Sequence, residues 1–225
     1  MSPAPGRALV VIDVQNEYVS GQLPIEYPDV QTSLSNIGNA MDAAHDNSIP
    51  VVVVQNTAPP GALIFEKGTP GWGLHETVAS RPYDHYVEKH LPSAFAGTDL
   101  GEWVATNNIG TIVVVGYMTH NCGDSTIKHA MHAGIAVEFL ADAAGAIPYA
   151  NRAGTVSAKD IHTAFSVVLQ SRFAAVMSTA EWIRAIKTAA TPERDSILSS
   201  HQRARNLLPR KTAQSSLDGP SDGAG

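Results

Sequence analysis

A single cysteine stands in the 225 residues, and its surroundings place it where a nucleophile would sit. Cys122 follows an apolar run, Thr111-Ile112-Val113-Val114-Val115, and a tight segment, Gly116-Tyr117-Met118-Thr119-His120-Asn121. An amphipathic stretch runs from Asp124 to His132 and closes at Gly134. That order reads strand, turn, helix, with the thiol at the first turn of the helix. Backbone N–H groups and the positive end of the helix dipole converge there, which stabilises a thiolate and lowers its pKa. The alternative is a small buried hydrophobe, the commoner fate of a free cysteine. Two other groups hold comparable positions. Asp13 ends the apolar run Ala8-Leu9-Val10-Val11-Ile12, and Lys89 follows Tyr86-Val87-Glu88. An acid embedded in an apolar strand is costly unless it is paired or functional, and Lys89 is a suitable cationic partner. A carboxylate beside the thiol can accept its proton, and an ammonium can stabilise the resulting charge. Equally, Asp13 and Lys89 could form a structural ion pair.

The elements that would carry these groups are legible as alternating patterns. Strand-like runs fall at residues 8–14, 50–55, 111–116, 135–141 and 173–177, with a weaker candidate at 85–88. Several are apolar throughout, as strands covered on both faces must be. Between them Val30, Leu34, Ile37, Met41 and Ala44 repeat at helical spacing. Ser178-x-x-Glu181 forms a capping box before Trp182, Ile183 and Ile186, and Ser157-x-x-Asp160 is a weaker start signal. Strand–helix alternation implies an α/β fold with a doubly wound, mostly parallel sheet. In such sheets ligands bind beyond the carboxyl ends of the strands, where Asp13, Lys89 and Cys122 all lie.

Composition bounds the class. Hydrophobic residues make up 44% and charged ones 16%, which suits one soluble globular domain. A net charge of −6 gives no reason to expect nucleic acid or an anionic membrane as partner. One cysteine leaves no internal disulfide and fits a reducing, cytoplasmic setting. The first apolar stretch is too short for a signal peptide, and no run approaches a membrane span. Residues 57–82, with Pro59-Pro60-Gly61 and Pro70-Gly71-Trp72-Gly73, depart from the pattern and read as a binding loop or an oligomer-contact arm. From residue 191 the patterns fade, so the chain divides into a domain at 1–190 and a disordered tail at 191–225.

Three segments together resemble the isochorismatase-like cysteine hydrolase family. They are Leu9-Val10-Val11-Ile12-Asp13-Val14-Gln15-Asn16, then Lys89-His90-Leu91-Pro92-Ser93-Ala94-Phe95-Ala96-Gly97-Thr98-Asp99-Leu100, then Val114-Val115-Gly116-Tyr117-Met118-Thr119-His120-Asn121-Cys122. Their order matches the family, and the similarity extends from about Ala8 to Ile186. The resemblance implies a three-layer α/β/α sandwich and cleavage of amide or related C–N bonds, isochorismatases themselves lacking the cysteine. It implies Cys122 as nucleophile, Asp13 as the group that takes and returns its proton, and Lys89 as the group holding Asp13 and the thiolate. It also implies a cis peptide at Tyr117–Met118 that turns the Met118 N–H toward the Cys122 N–H, an oxyanion hole made of backbone alone.

Other chemistries are less well supported. Nicotinamidases of the family carry an Asp and two His ligands with an Asp-x-His spacing, and neither His85 nor His90, which flank Lys89, has an Asp two residues before it; His129 and His132, three apart on one helix, lack a third ligand. No metal or cofactor is therefore expected. Gly-x-Gly-x-x-Gly, Walker and Gly-x-Ser-x-Gly patterns are also missing. Substrate contacts are expected from Gln15, Trp72 and Tyr117, with Tyr18, Phe65, His75 and Tyr149 nearby. The acidic balance tolerates a cationic substrate better than an anionic one. The Cys122 segment, with Ser125 to Ala130 and Gln170 to Thr179, is similar to streptothricin hydrolases, which open the lactam amide of a cationic antibiotic. Another small amide (ureido, carbamoyl or maleamate type) and a non-catalytic binding protein stay open as alternatives. A homodimer or homotetramer is expected, as is common in the family.

Overall fold

A computed structural model describes residues 6–207. The strands are β1 (Gly6–Ile12), β2 (Val51–Asn56), β3 (His85–Lys89), β4 (Ile109–Tyr117), β5 (Ala136–Gly145), β6 (Tyr149–Asn151), β7 (Gly154–Val156) and β8 (Ala175–Met177). Six of them form one parallel sheet in the order β3-β2-β1-β4-β5-β8, while β6 and β7 pair as an exposed antiparallel hairpin. The helices are α1 (Val30–Asp46), α2 (Glu76–Ala79), α3 (Leu100–Thr106), α4 (Asp124–His132), α5 (Ala158–Val168), α6 (Thr179–Thr188) and α7 (Ile197–Leu207).

Side-chain alternation explains why the central strands are apolar without interruption. Leu9 and Val11, with Val53, Val113 and Val115, pack beneath Ile37 and Met41 of α1 and Trp182 of α6. Ala8, Val10 and Ile12, with Val52, Val54, Ile112 and Val114, face Leu100 of α3 and Ile127 and Ala130 of α4. Each strand residue therefore enters one of two cores, and the three-layer α/β/α sandwich follows. The predicted caps are present: the Ser157 side chain accepts the Asp160 N–H, and Ser178 with Glu181 completes the capping box of α6. Two boundaries differ from expectation. Phe173 ends a π-helical turn, Leu169–Phe173, so the last strand begins only at Ala175. The tail expected to be disordered from residue 191 contains α7, tied to the body by Ser171–Ser200 and by Arg194 donating to the Val137 carbonyl. None of its residues is buried, which is why no apolar periodicity announced it. Residues 208–225 of that tail lie outside the described residues.

The sheet order places β1 between β2 and β4, so the chain reverses its direction of travel at the carboxyl ends of β1 and β4. Gly116, at φ +102°, allows the close approach there: a Cβ would collide with the Ile12 carbonyl oxygen.

Candidate active site

The three chemistry-bearing residues meet at this reversal. Asp13 lies one residue past β1 and adopts φ 51°, a left-handed conformation that Asp tolerates better than most residues. Its N–H still bonds the Val54 carbonyl, so the strand ends by turning rather than by releasing its neighbour. Non-glycine residues held in this region cost on the order of 1–3 kcal/mol and cluster at functional sites. Lys89 closes β3, and its register partner on β2 is Asn56. Cys122 sits in a π-helical turn, Thr119–Gly123, that feeds α4; the Tyr117–Met118 peptide ahead of it is cis.

Lys89 organises the cluster. Its Nζ lies 2.8 Å from Asp13 Oδ2, 3.3 Å from Cys122 Sγ and 3.3 Å from Asn56 Oδ1. The side chains of Asp13 and Lys89 are both 0% exposed, and Cys122 is 5% exposed. Burial raises the Asp13 carboxyl above its ordinary value, against the opposing pull of Lys89. Burial alone would lower Lys89, but Asp13 and Cys122 outweigh it and hold the ammonium charged. The expected lowering of the Cys122 pKa is corrected. Burial and then the neighbouring Asp13 carboxylate push the thiol well up, and Lys89 only offsets them in part. Dehydration and a like charge at close range outweigh the helix terminus. One ammonium balances one anion, so Asp13 and Cys122 compete for a single negative charge beside Lys89.

Asn56 was not singled out from sequence, although it ends a strand as Lys89 does, Asp13 lying one residue past its own. The same carboxyl-end rule would have nominated it. The expected substrate contacts fare unequally. The Gln15 side chain is fully buried; its amide donates to the Asn56 and Trp72 carbonyls and accepts the Asn56 N–H. Gln15 therefore ties β1, β2 and the loop of residues 57–82 together rather than facing a substrate. Tyr117 is likewise 0% exposed, hydrogen-bonded to Ser33 at 2.7 Å and set edge-on to Tyr18, so its ring belongs to the α1 core. Trp72 is half-buried, with its indole N–H on Thr57 Oγ1 at 2.8 Å and Lys67 over its ring. Asn16 and Glu17 donate to the Gly73 and Gly71 carbonyls, which fastens the loop over the ends of β1 and β2. Phe65 packs on Tyr18 in the core, and His75 caps α2. Tyr149 is 42% exposed and within electrostatic range of Cys122.

His129 bonds Ser93 and stacks on Phe95, His85 pairs with Asp99, and His90 meets the Thr57 carbonyl. Among the described residues no three His, Cys, Asp or Glu side chains are arranged to hold a metal ion.

A parallel α/β sandwich with a buried Cys–Asp–Lys cluster at the sheet's reversal defines a class of hydrolase scaffolds. Residues 7–181 match the isochorismatase domain model, and the chain belongs to that family. It is similar to a solved structure from Burkholderia xenovorans LB400, provisionally described as an isochorismatase (60% identity, TM-score 0.89, 90% of this chain and 98% of that one). A cysteine hydrolase from Pseudomonas syringae pv. phaseolicola 1448A superposes with a TM-score of 0.75 at 25% identity, over 84% of this chain and 100% of that one. Streptothricin hydrolase of Streptomyces noursei is 32% identical over 137 residues, 61% of this chain but 49% of the relative's length.

Proposed function

We propose that the protein is a cysteine amidohydrolase that cleaves a C–N amide bond through a thioester. The observation that carries this reading is the Lys89 ammonium lying between the Asp13 carboxylate and the Cys122 sulfur, at 2.8 and 3.3 Å. In this mechanism Cys122 Sγ attacks the substrate carbonyl carbon while Asp13 takes the thiol proton. The carbonyl oxygen becomes an oxyanion held by the N–H groups of Met118 and Cys122. Asp13 returns its proton to the leaving nitrogen, the C–N bond breaks, and a thioester remains. Asp13 then takes a proton from water, the resulting hydroxide attacks the thioester, and the acid leaves as the thiol regains its proton. Trp72 and Tyr149 are the side chains proposed to meet the substrate.

The finer reading is the lactam amide of streptothricin, supported by the likeness to streptothricin hydrolase and by the net charge of −6, which favours a cationic substrate. One observation favours a second reading, an uncharged small amide: acids near the site are already paired, Glu88 with Lys67 at 2.6 Å and Asp124 with Lys128 at 2.7 Å. The same proposal places the protein in the cytoplasm as a homodimer or homotetramer. No helix among the described residues is long and apolar enough to cross a membrane, and Val156, Val167 and Val168 offer exposed apolar surface for a second copy. An amide panel containing streptothricin, matched neutral and anionic amides, and Cys122→Ser as control separates the readings. Product from wild type alone supports the enzyme; turnover of simple amides without any lactam rejects the streptothricin assignment.

A further inference from the structure

The turn that carries Cys122 is held from behind by an imidazole. His162 belongs to α5, the helix started by the Ser157 cap, and is 6% exposed on a helix that otherwise buries Ala158 and Ile161. Its Nδ1 lies 2.9 Å from Thr119 Oγ1, and Thr119 itself is 0% exposed. The other side of the ring faces the Ala141 carbonyl of β5, and the Tyr27 ring closes the pocket edge-on at 5.5 Å. A carbonyl can only accept, so the tautomer with its N–H toward Ala141 is the one that leaves Nδ1 to accept from Thr119. The Thr119 hydroxyl then donates to Nδ1. This pairing favours one tautomer and one hydroxyl orientation between two buried residues.

Thr119 is the first residue of the π-helical turn, directly after Met118, and Cys122 follows three residues on. The Met118 carbonyl accepts from both Asn121 and Gly123, so the turn pivots on that peptide. A tether on the Thr119 side chain therefore sets the direction of the Met118 and Cys122 N–H groups together with the sulfur. We infer that His162 is a positioning residue of this active site, acting through Thr119 to hold the nucleophile turn in its attacking geometry. The inference rests on the amidohydrolase reading and adds to it a residue that never touches the substrate. Its effect falls on the reaction step, because misplacing reacting atoms by about an ångström lowers rates by about 100-fold while leaving remote binding contacts intact.

The experiment combines kcat and KM on an amide identified by the panel with the second-order rate of Cys122 alkylation by iodoacetamide, which needs no substrate. His162→Leu is expected to lower both kcat and the alkylation rate by about 10- to 100-fold with KM little changed. His162→Asn, which restores an acceptor near Nδ1, recovers most of that loss. Thr119→Val reproduces the Leu effect, and the double variant is no worse than either single, as expected for two residues on one path. His162→Leu behaving as wild type, Asn rescuing nothing, or the His162 and Thr119 losses multiplying would each overturn the inference. If the Leu variant fails to fold, His162→Asn near wild type beside an impaired Thr119→Val supports it, and equal behaviour of those two overturns it. A folded wild-type protein whose Cys122 resists alkylation defeats the amidohydrolase reading itself, an outcome distinct from a reactive thiol that ignores His162.

Discussion

Glu138 and Asp13 are both carboxylates buried in the same parallel sheet, 3% and 0% exposed, and each has one cationic partner. Glu138, on β5, accepts from Arg7 Nε at 3.0 and 3.2 Å and from the Trp182 indole at 2.9 Å. Both of its oxygens are engaged by donors in place, and nothing reactive lies beside them. Asp13 meets Lys89 as an ion pair at 2.8 Å, with the Cys122 thiol and the Asn56 N–H as its further hydrogen-bonding neighbours. Its cation is shared with a sulfur and an amide oxygen. A carboxylate bonded only to fixed donors ties strands together; one that shares its cation with a thiol can exchange a proton with it. Two carboxylates buried at one sheet, one paired with a part-exposed Arg7 and one with a fully buried Lys89, are thus suited to different tasks.

Neutralising each carboxylate in turn should separate those tasks. Asp13→Asn keeps the volume but removes the proposed proton acceptor, and kcat is expected to fall by about 100- to 10,000-fold in a correctly folded protein. Glu138→Gln should leave kcat near wild type and lower unfolding free energy by about 1–3 kcal/mol in a urea titration. Exchange of the two outcomes would remove the distinction. Lys89→Met strands a buried carboxylate and should cost about 3–5 kcal/mol together with activity. Adding Asp13→Asn to Lys89→Met should restore much of the stability and none of the turnover.

The pH dependence sharpens the comparison. In the proposed mechanism Asp13 must be ionised to accept the thiol proton, and its folded value lies above the ordinary 3.8. Turnover should therefore fall as pH drops through a value above 3.8, the step belonging to the Asp13–Cys122 pair as a whole. An acid limb of kcat/KM at or below 3.8 would contradict this. Stability has a separate window. His162 is lowered from 6.5 to about 4, chiefly by burial and then by His120. The unfolded chain takes up that proton first, so the stabilisation is complete above pH 6.5 and is lost as pH falls toward about 4. The loss is at most roughly 3 kcal/mol. Urea midpoints measured across this range should flatten in His162→Asn.

The smallest effect is expected at Asn56. Asn56→Leu removes one of three acceptors around Lys89, worth about 1 kcal/mol, and should lower kcat by roughly tenfold. An unchanged rate would make Asn56 a bystander.

These regions also differ in how far the sequence revealed them. The apolar runs at β1, β2 and β4 were legible because both faces of each strand are buried, and the caps at Ser157 and Ser178 because capping is local chemistry. Asp13, Lys89 and Cys122 were legible as polar residues at strand ends and as segments of a familiar family. Asn56 escaped because its role depends on the register that sets it opposite Lys89, which no local pattern encodes. Gln15 and Tyr117 were misplaced for a related reason. A polar residue at a strand end reads the same whether it faces a ligand or a neighbouring backbone. The thiol's pKa went the other way because helix position is visible in sequence, whereas the depth of burial and the approach of Asp13 are tertiary facts.

The most direct measurement is rapid quenching of the wild-type enzyme with a slowly hydrolysed amide, followed by intact-protein and peptide mass spectrometry. One acyl group per chain, mapped to Cys122 and accumulating further when water attack is slowed, is the predicted result. Continued turnover with no acylated Cys122, and surviving in a folded Cys122→Ala variant, would contradict it.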